Sequence, residues 1–210
     1  SYHDDAIAWY ENNGAADPSW TAADIATSAD GAVCIVVADM DNDGDMDIVS
    51  ASYADDAIAW YENDGAADPS WSAADIATSA DGAVSVFVSD IDKDGDMDIV
   101  STSDLDDSIA IYINDGAADP SWSASDAATS ADGARSVFAA DLDNDGDIDL
   151  VSASANDNAI AWYENTTAVP STPRFSAADI ATSADGARSV FVADMDNDGD
   201  MDIVSASAND

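Results

Sequence analysis

Four runs of the form Asp-x-Asp-x-Asp-Gly-Asp-x-Asp stand at 39–47, 90–98, 141–149 and 194–202. The first holds Asp39, Asp41, Asp43, Asp45 and Asp47 around Gly44; the second holds Asp90, Asp92, Asp94, Asp96 and Asp98. The third holds Asp141, Asp143, Asp145, Asp147 and Asp149, and the fourth Asp194, Asp196, Asp198, Asp200 and Asp202. Carboxylates two residues apart in a tightly turning backbone converge on one centre, and Gly at the sixth position lets that backbone turn sharply. Hard cations take six to eight oxygens, which carboxylates, a carbonyl and water supply. Without an ion these carboxylates repel one another; with one, most of the repulsion becomes attraction. The expected cofactor is Ca2+, about one ion per loop and so about four per chain.

The competing reading is an acidic, solvated turn, and recurrence of one pattern at a fixed phase counts against it. An EF-hand fails on two points. Its twelfth position calls for Glu where this chain has Ser50, and its flanks are helices, whereas strand-like runs flank these loops. Magnesium fits less well, because it keeps its waters and demands a stricter octahedron.

The loops belong to a longer repeat, with spacings of 51, 51 and 53 residues between successive first aspartates. The extra two residues fall between Asn165 and Asp179, where TTAVPSTPRF replaces the usual DGAADPSW. Each unit carries four short strand-like runs, typified by Val33–Asp39, Asp47–Ser52, Ala57–Glu62 and Asp75–Ser79. They are rich in Val, Ile and aromatics, and turn residues bound them. Asp-Gly pairs at Asp30, Asp81, Asp132 and Asp185 predict tight turns into the next unit. No sustained 3.6-residue apolar stripe occurs, so almost no helix is expected. Four strands per repeat of this length predict an all-β fold, a β-propeller of four-stranded blades, forming one domain over 1–210. The first unit begins in mid-repeat. The expectation is therefore that the N-terminal strands (Ala6–Glu11, Asp24–Ser28) and the C-terminal strands (Ser189–Asp194, Asp202–Ser207) share one composite blade, which would remove exposed edges.

Charge narrows the function classes. Asp and Glu number 45 against four Lys plus Arg, a formal net charge of −41. Only Glu11, Glu62 and Glu164 are Glu; Asp is a turn and metal-loop residue, so the charge belongs to loops. Nucleic-acid binding, which needs Lys and Arg, is excluded, and docking on anionic membranes is disfavoured. Cations, minerals and basic surfaces are the favoured partners, and a salty habitat is a second source of acidity. Periodic apolar residues and recurrent Trp and Tyr argue against disorder. Cys34, the single cysteine, excludes an internal disulfide, a role that metals can take over. The sequence shows neither a signal peptide nor a run of about 18 apolar residues, as expected of a mature form or an excised segment without membrane insertion.

At these loops the chain resembles the FG-GAP/VCBS repeat family, which includes the head propeller of integrin α subunits and many secreted proteins. The resemblance covers every unit. It implies calcium binding, with Asp39, Asp41, Asp43 and Asp47 ligating through side chains and Asp45 through its main-chain carbonyl, and the same roles in the other loops. Two departures weaken any transfer of integrin-style ligand binding: Ser50-Ala51-Ser52 stands where integrin repeats have Gly-Ala-Pro, and no Phe-Gly pair precedes the first strand. The chain looks closer to the VCBS type. Family propellers commonly have more blades than the units here, so a closed ring, a dimer completing a larger ring and a piece of a larger ring all stay open.

Other residues carry weaker signals. Trp9, Trp60 and Trp162 fall mid-strand and read as core between blades. Trp20, Trp71 and Trp122 follow Asp-Pro-Ser and read as covers of a turn or blade edge or, if exposed, as glycan-stacking platforms. Asn165-Thr166-Thr167 is an N-glycosylation sequon, expected on a surface loop. Arg135 and Arg188 are expected to pair with nearby carboxylates. Cys34 reads as buried and inert. His3 is the only histidine, no nucleophile–base constellation can be assembled, and every candidate carboxylate belongs to the repeat, so no catalytic residue is expected. The leading expectation is an extracellular or cell-surface binding, adhesion or scaffold module whose partner is a glycan or extracellular protein. A structural building block that associates with copies of itself is the alternative, and a glycan-active enzyme the weakest reading.

Overall fold

Short runs of Val, Ile and aromatic residues separated by Asp, Asn and Gly leave the chain no long stretch to coil, and it folds as hairpins. The computed structural model describes residues 4–167 and 172–208, and among them every regular element is a strand. A two-stranded sheet comes first, β1 (Ile7–Asn12) and β2 (Trp20–Ala26). Three four-stranded antiparallel sheets follow, each a simple up-and-down meander. They are β3–β6 (Ala32–Ala38, Asp47–Ser52, Ala57–Asn63, Trp71–Ala77), β7–β10 (Ala83–Ser89, Asp98–Ser103, Ser108–Asn114, Trp122–Ala128) and β11–β14 (Ala134–Ala140, Asp149–Ser154, Ala159–Asn165, Phe175–Ala181). The last sheet is again two-stranded, β15 (Ala187–Ala193) and β16 (Asp202–Ser207).

The fourth strand of each unit departs from expectation. It starts at the aromatic residue, Trp71 rather than Asp75, because Trp71 pairs with Asn63 and the ladder runs from there. Between Ile58 and Ala59 the register slips, so Ala77 faces Ile58 while Asp75 faces Ala59. That bulge lets the outer strand bend away.

Sheets stack through their first and second strands. Val86, Val137 and Val190 each lie in a core formed with the preceding unit's second strand: Val86 with Val49 and Ala51, Val190 with Val151 and Ala153. Phe87, Phe138 and Phe191 form a column along successive first strands, with ring centroids 4.7 and 5.1 Å apart. The second strands β4, β8 and β12 are buried along their whole length, and small Ser and Ala side chains permit this crowding. Trp60 is buried in this core, as its mid-strand position predicts.

One expectation is corrected. β1–β2 and β15–β16 do not join in a composite sheet; they remain two separate two-stranded sheets. Among the described residues the sheet-to-sheet packing runs between sequence neighbours, and the last hairpin shares no ladder with the first. The consequence is visible in burial: β16 is exposed along most of its length, unlike its three counterparts.

Candidate metal centre

The four Asp-rich runs join each first strand to its second. Two residues in each adopt left-handed backbone: the fourth (Asn42, Lys93, Asn144, Asn197; φ 60–61°) and the sixth (Gly44, Gly95, Gly146, Gly199; φ 97–102°). The second value needs glycine, whereas the first suits Asn and strains Lys93. This turning brings carboxylate oxygens of the first, third and fifth positions within 4.8 Å of one another in Asp39/Asp41/Asp43, Asp90/Asp92/Asp94 and Asp141/Asp143/Asp145. In the fourth loop the group is Asp194, Asp196 and Asp202. Such spacing suits a cation with oxygen bonds of about 2.3–2.6 Å.

Electrostatics make the cluster costly without a cation. Burial raises the pKa of Asp41 and Asp92, and the neighbouring Asp43 and Asp94 carboxylates push the same way. Oδ1 of Asp90 and Oδ1 of Asp141 are buried with no hydrogen-bond partner. An orphaned carboxylate oxygen on a member of such a triad suits a hard cation.

The seventh and ninth positions behave differently from the triad. The Asp45 carboxylate lies against Gly65, where a Cβ would collide with it, and Asp96 lies likewise against Gly116. Their side chains therefore lie outside the triads. Asp47 accepts from Met40 N at 3.1 Å and from Asn63 N at 2.8 Å, tying the loop to the end of the third strand. Asp98 does the same with Ile91 N (2.8 Å) and Asn114 N (2.9 Å), and Asp149 with Leu142 N (3.2 Å) and Asn165 N (2.8 Å). Burial pushes Asp98 up to about 7 against the pull of those two donors, and raises Asp47 and Asp149 as well. In the fourth loop Asp202 accepts, among the described residues, from Met195 N alone, at 2.9 Å.

Adjacent loops are linked, which the sequence reading missed. Asn42 donates to Asp96 Oδ1 of the next loop at 2.6 Å, and Asn144 donates to Asp200 Oδ1 at 3.1 Å. Between them Lys93 Nζ lies 3.7 Å from Asp147 Oδ1. The fourth residue of one loop thus holds the seventh of the next. The in-phase Asn at 42, 144 and 197 was the available signal. A second set, Asn63, Asn114 and Asn165, donates its amide to the carbonyls of Met46, Met97 and Ile148, and Asn114 also reaches Met40 O at 2.8 Å.

The remaining candidates sort by environment. Asn165 is 2 % exposed, its amide donates to Ile148 O, and its Oδ1 accepts from Thr167 N at 3.2 Å. Its position at the end of β13, inside the repeat's own bonding, leaves no room for a glycan; part of the divergent stretch, 168–171, lies outside the described residues. Trp71 and Trp122 pack onto the cores shared with the preceding unit, and Phe175 takes the matching place. Trp20 is 60 % exposed. Arg135 pairs with Asp104 at 3.0 Å. Arg188 makes no such pair among the described residues, because the residue in register with Asp104 is Ala155. Cys34 is half-buried rather than enclosed.

Fold and loops together define an all-β repeat array with one acidic, cation-ready loop per repeat. A family profile described as FG-GAP-like repeat matches residues 1–50, 39–101, 90–152 and 141–205, and the chain belongs to that family. No curated protein matches the sequence.

Proposed function

We propose that the chain is a calcium-stabilised segment of a β-propeller, acting outside the cell or at its surface as a non-catalytic binding, adhesion or scaffold module. The observation that carries the calcium reading is the recurrence of a converging Asp triad with orphaned oxygens at Asp90 and Asp141. Asp39, Asp41 and Asp43 and their counterparts supply side-chain oxygens, and Asp45, Asp96, Asp147 and Asp200 supply carbonyls. The ninth aspartates Asp47, Asp98 and Asp149 lock each loop onto the third strand, whereas Asp202 is free to turn inward. The ion's role is structural, since each loop sets the geometry of the first hairpin of its sheet.

Charge supports a basic protein surface as partner and no nucleic acid; a glycan and another copy of the chain are the further candidate partners. No helix among the described residues is long and apolar enough to cross a membrane. Of the three exposed-Trp candidates for glycan stacking, Trp20 alone keeps that exposure. The building-block reading is favoured by a separate observation, the exposed apolar faces of β3 and β16.

Calorimetric titration of chelator-treated protein tests the ion. Saturable calcium uptake is expected, with magnesium much weaker and with uptake reduced in Asp92→Asn/Asp94→Asn. Failure to take up calcium would remove the basis of the proposal. A glycan-array screen separates a glycan partner from a protein one.

A further inference from the structure

The joint between the second and third sheets holds a cleft to which no residue of an Asp-rich run contributes. Residues 76–80, at the end of β6 and in the link to β7, line it together with side chains of β8, β9 and β10, and it encloses about 390 Å3. Both sheets are complete four-stranded meanders.

Three kinds of group form its walls. Ala77, Ala110 and Ala124 are apolar, and Asp106 and Asp126 are exposed carboxylates. Ser103 is a hydroxyl only 1 % exposed, and its Oγ has no hydrogen-bond partner. A buried hydroxyl left unpaired is costly, so a ligand that satisfies it gains. Asp106 Oδ1 accepts from Ser108 N at 3.2 Å and Ser108 Oγ at 2.8 Å, which fixes the orientation of that carboxylate. No Lys, Arg or His lines the cleft, and neither carboxylate belongs to an ion pair among the described residues. Burial is the main cause that pushes the Tyr112 hydroxyl up, and the Asp126 and Asp106 charges add to it, so both carboxylates act on one small volume. The same set recurs one unit earlier at Ser52, Asp55, Tyr61 and Asp75, around a cleft of about 340 Å3.

Two carboxylates without a counter-ion call for a cation. Two carboxylates between alanine walls fall short of the six to eight oxygens that a hard metal ion takes. They match a primary ammonium group, which carries three donors on an apolar stem. We infer that this cleft binds an alkylammonium ion, a small linear diamine or polyamine, with Asp106 and Asp126 as its counter-ions and Ser103 Oγ as a hydrogen-bond acceptor. The alkyl stem covers the alanines. The site stands apart from the calcium reading, because it shares no residue with the Asp-rich runs.

Titration of the whole chain with putrescine, in calcium buffer and followed by amide NMR shifts, tests this site by site. Salt at about 0.15 M screens diffuse attraction to the acidic surface. Saturable shifts are expected at Thr78, Ser103 and Asp126, and butanediol, the uncharged analogue of the same length, should produce none. Asp126→Asn should weaken binding at these residues about fivefold, and Asp106→Asn/Asp126→Asn more than about tenfold, with the melting temperature unchanged. Asp68→Asn makes the same charge change at an exposed residue outside the cleft and should leave the affinity unaltered. No saturable shift at the cleft, equal binding of the diol, or equal weakening by Asp68→Asn overturns the inference.

Discussion

Asp39–Ser52 and Asp194–Ser207 are the same sequence, DMDNDGDMDIVSAS, in two environments. In the first copy Met40 and Val49 are fully buried; in the second Met195 is 60 % and Val204 47 % exposed. Asp47 anchors two backbone donors and Asp202 one. Identical residues thus make the same turn but not the same core. The loop is a local property of the Asp-Gly pattern, whereas burial is conferred by the third strand and by the next unit.

The comparison can be broken most forcefully by removing the ion. At tenfold excess over its Kd each site contributes about 1.4 kcal/mol, so four contribute about 6, comparable to a domain's whole stability. Chelation should abolish or sharply lower the melting transition, with hydrogen exchange rising at Val204 before Val49. An unchanged melting curve would mean the loops hold no structural ion.

Proton binding gives the next effect. Asp98 titrates near 7 in the ion-free fold against 3.8 when unfolded. The folded state holds the extra proton, so its contribution is complete below about pH 4 and is lost as pH rises through 7, by at most about 4 kcal/mol. Ion-free protein should therefore melt lower at pH 8 than at pH 5. Calcium, which stabilises the carboxylate form, should flatten or reverse that slope in a pH series of melting curves.

Side-chain deletion sharpens the contrast between the copies. Asp98→Ala strands two backbone donors and should cost about 3 kcal/mol in denaturant unfolding, while Asp202→Ala in the dilute single chain should cost under about 1. Equal costs would show that the end loop is as well anchored as the inner ones. The smallest effect is the coupling between loops. Asn144→Ala removes the bond to Asp200 and should cost about 1 kcal/mol, with weaker uptake at the fourth loop relative to the first in site-resolved titration.

Much of this was legible from the residues. The Asp-Gly spacing gave the loops, and alternation of Val and Ile with small residues gave three strands per unit within a residue or two. The fourth strand was misplaced because Ser-Ala-Ala carries little β propensity; its ladder is set by the aromatic residue that opens it. Asn165 fits a glycosylation pattern, but in-phase Asn63 and Asn114 mark the same position as structural. Closure could not be read from phase alone, because meeting of the ends depends on how far each sheet rotates against the next, which packing determines. The ninth aspartates looked like simple ligands, and only the structure shows them bridging loop and strand.

Ion content per folded chain tests the central claim most directly, by native mass spectrometry in calcium buffer followed by exchange into chelator. The account predicts about four calcium ions per chain, lost together with the compact charge distribution. A folded chain carrying no calcium would contradict it.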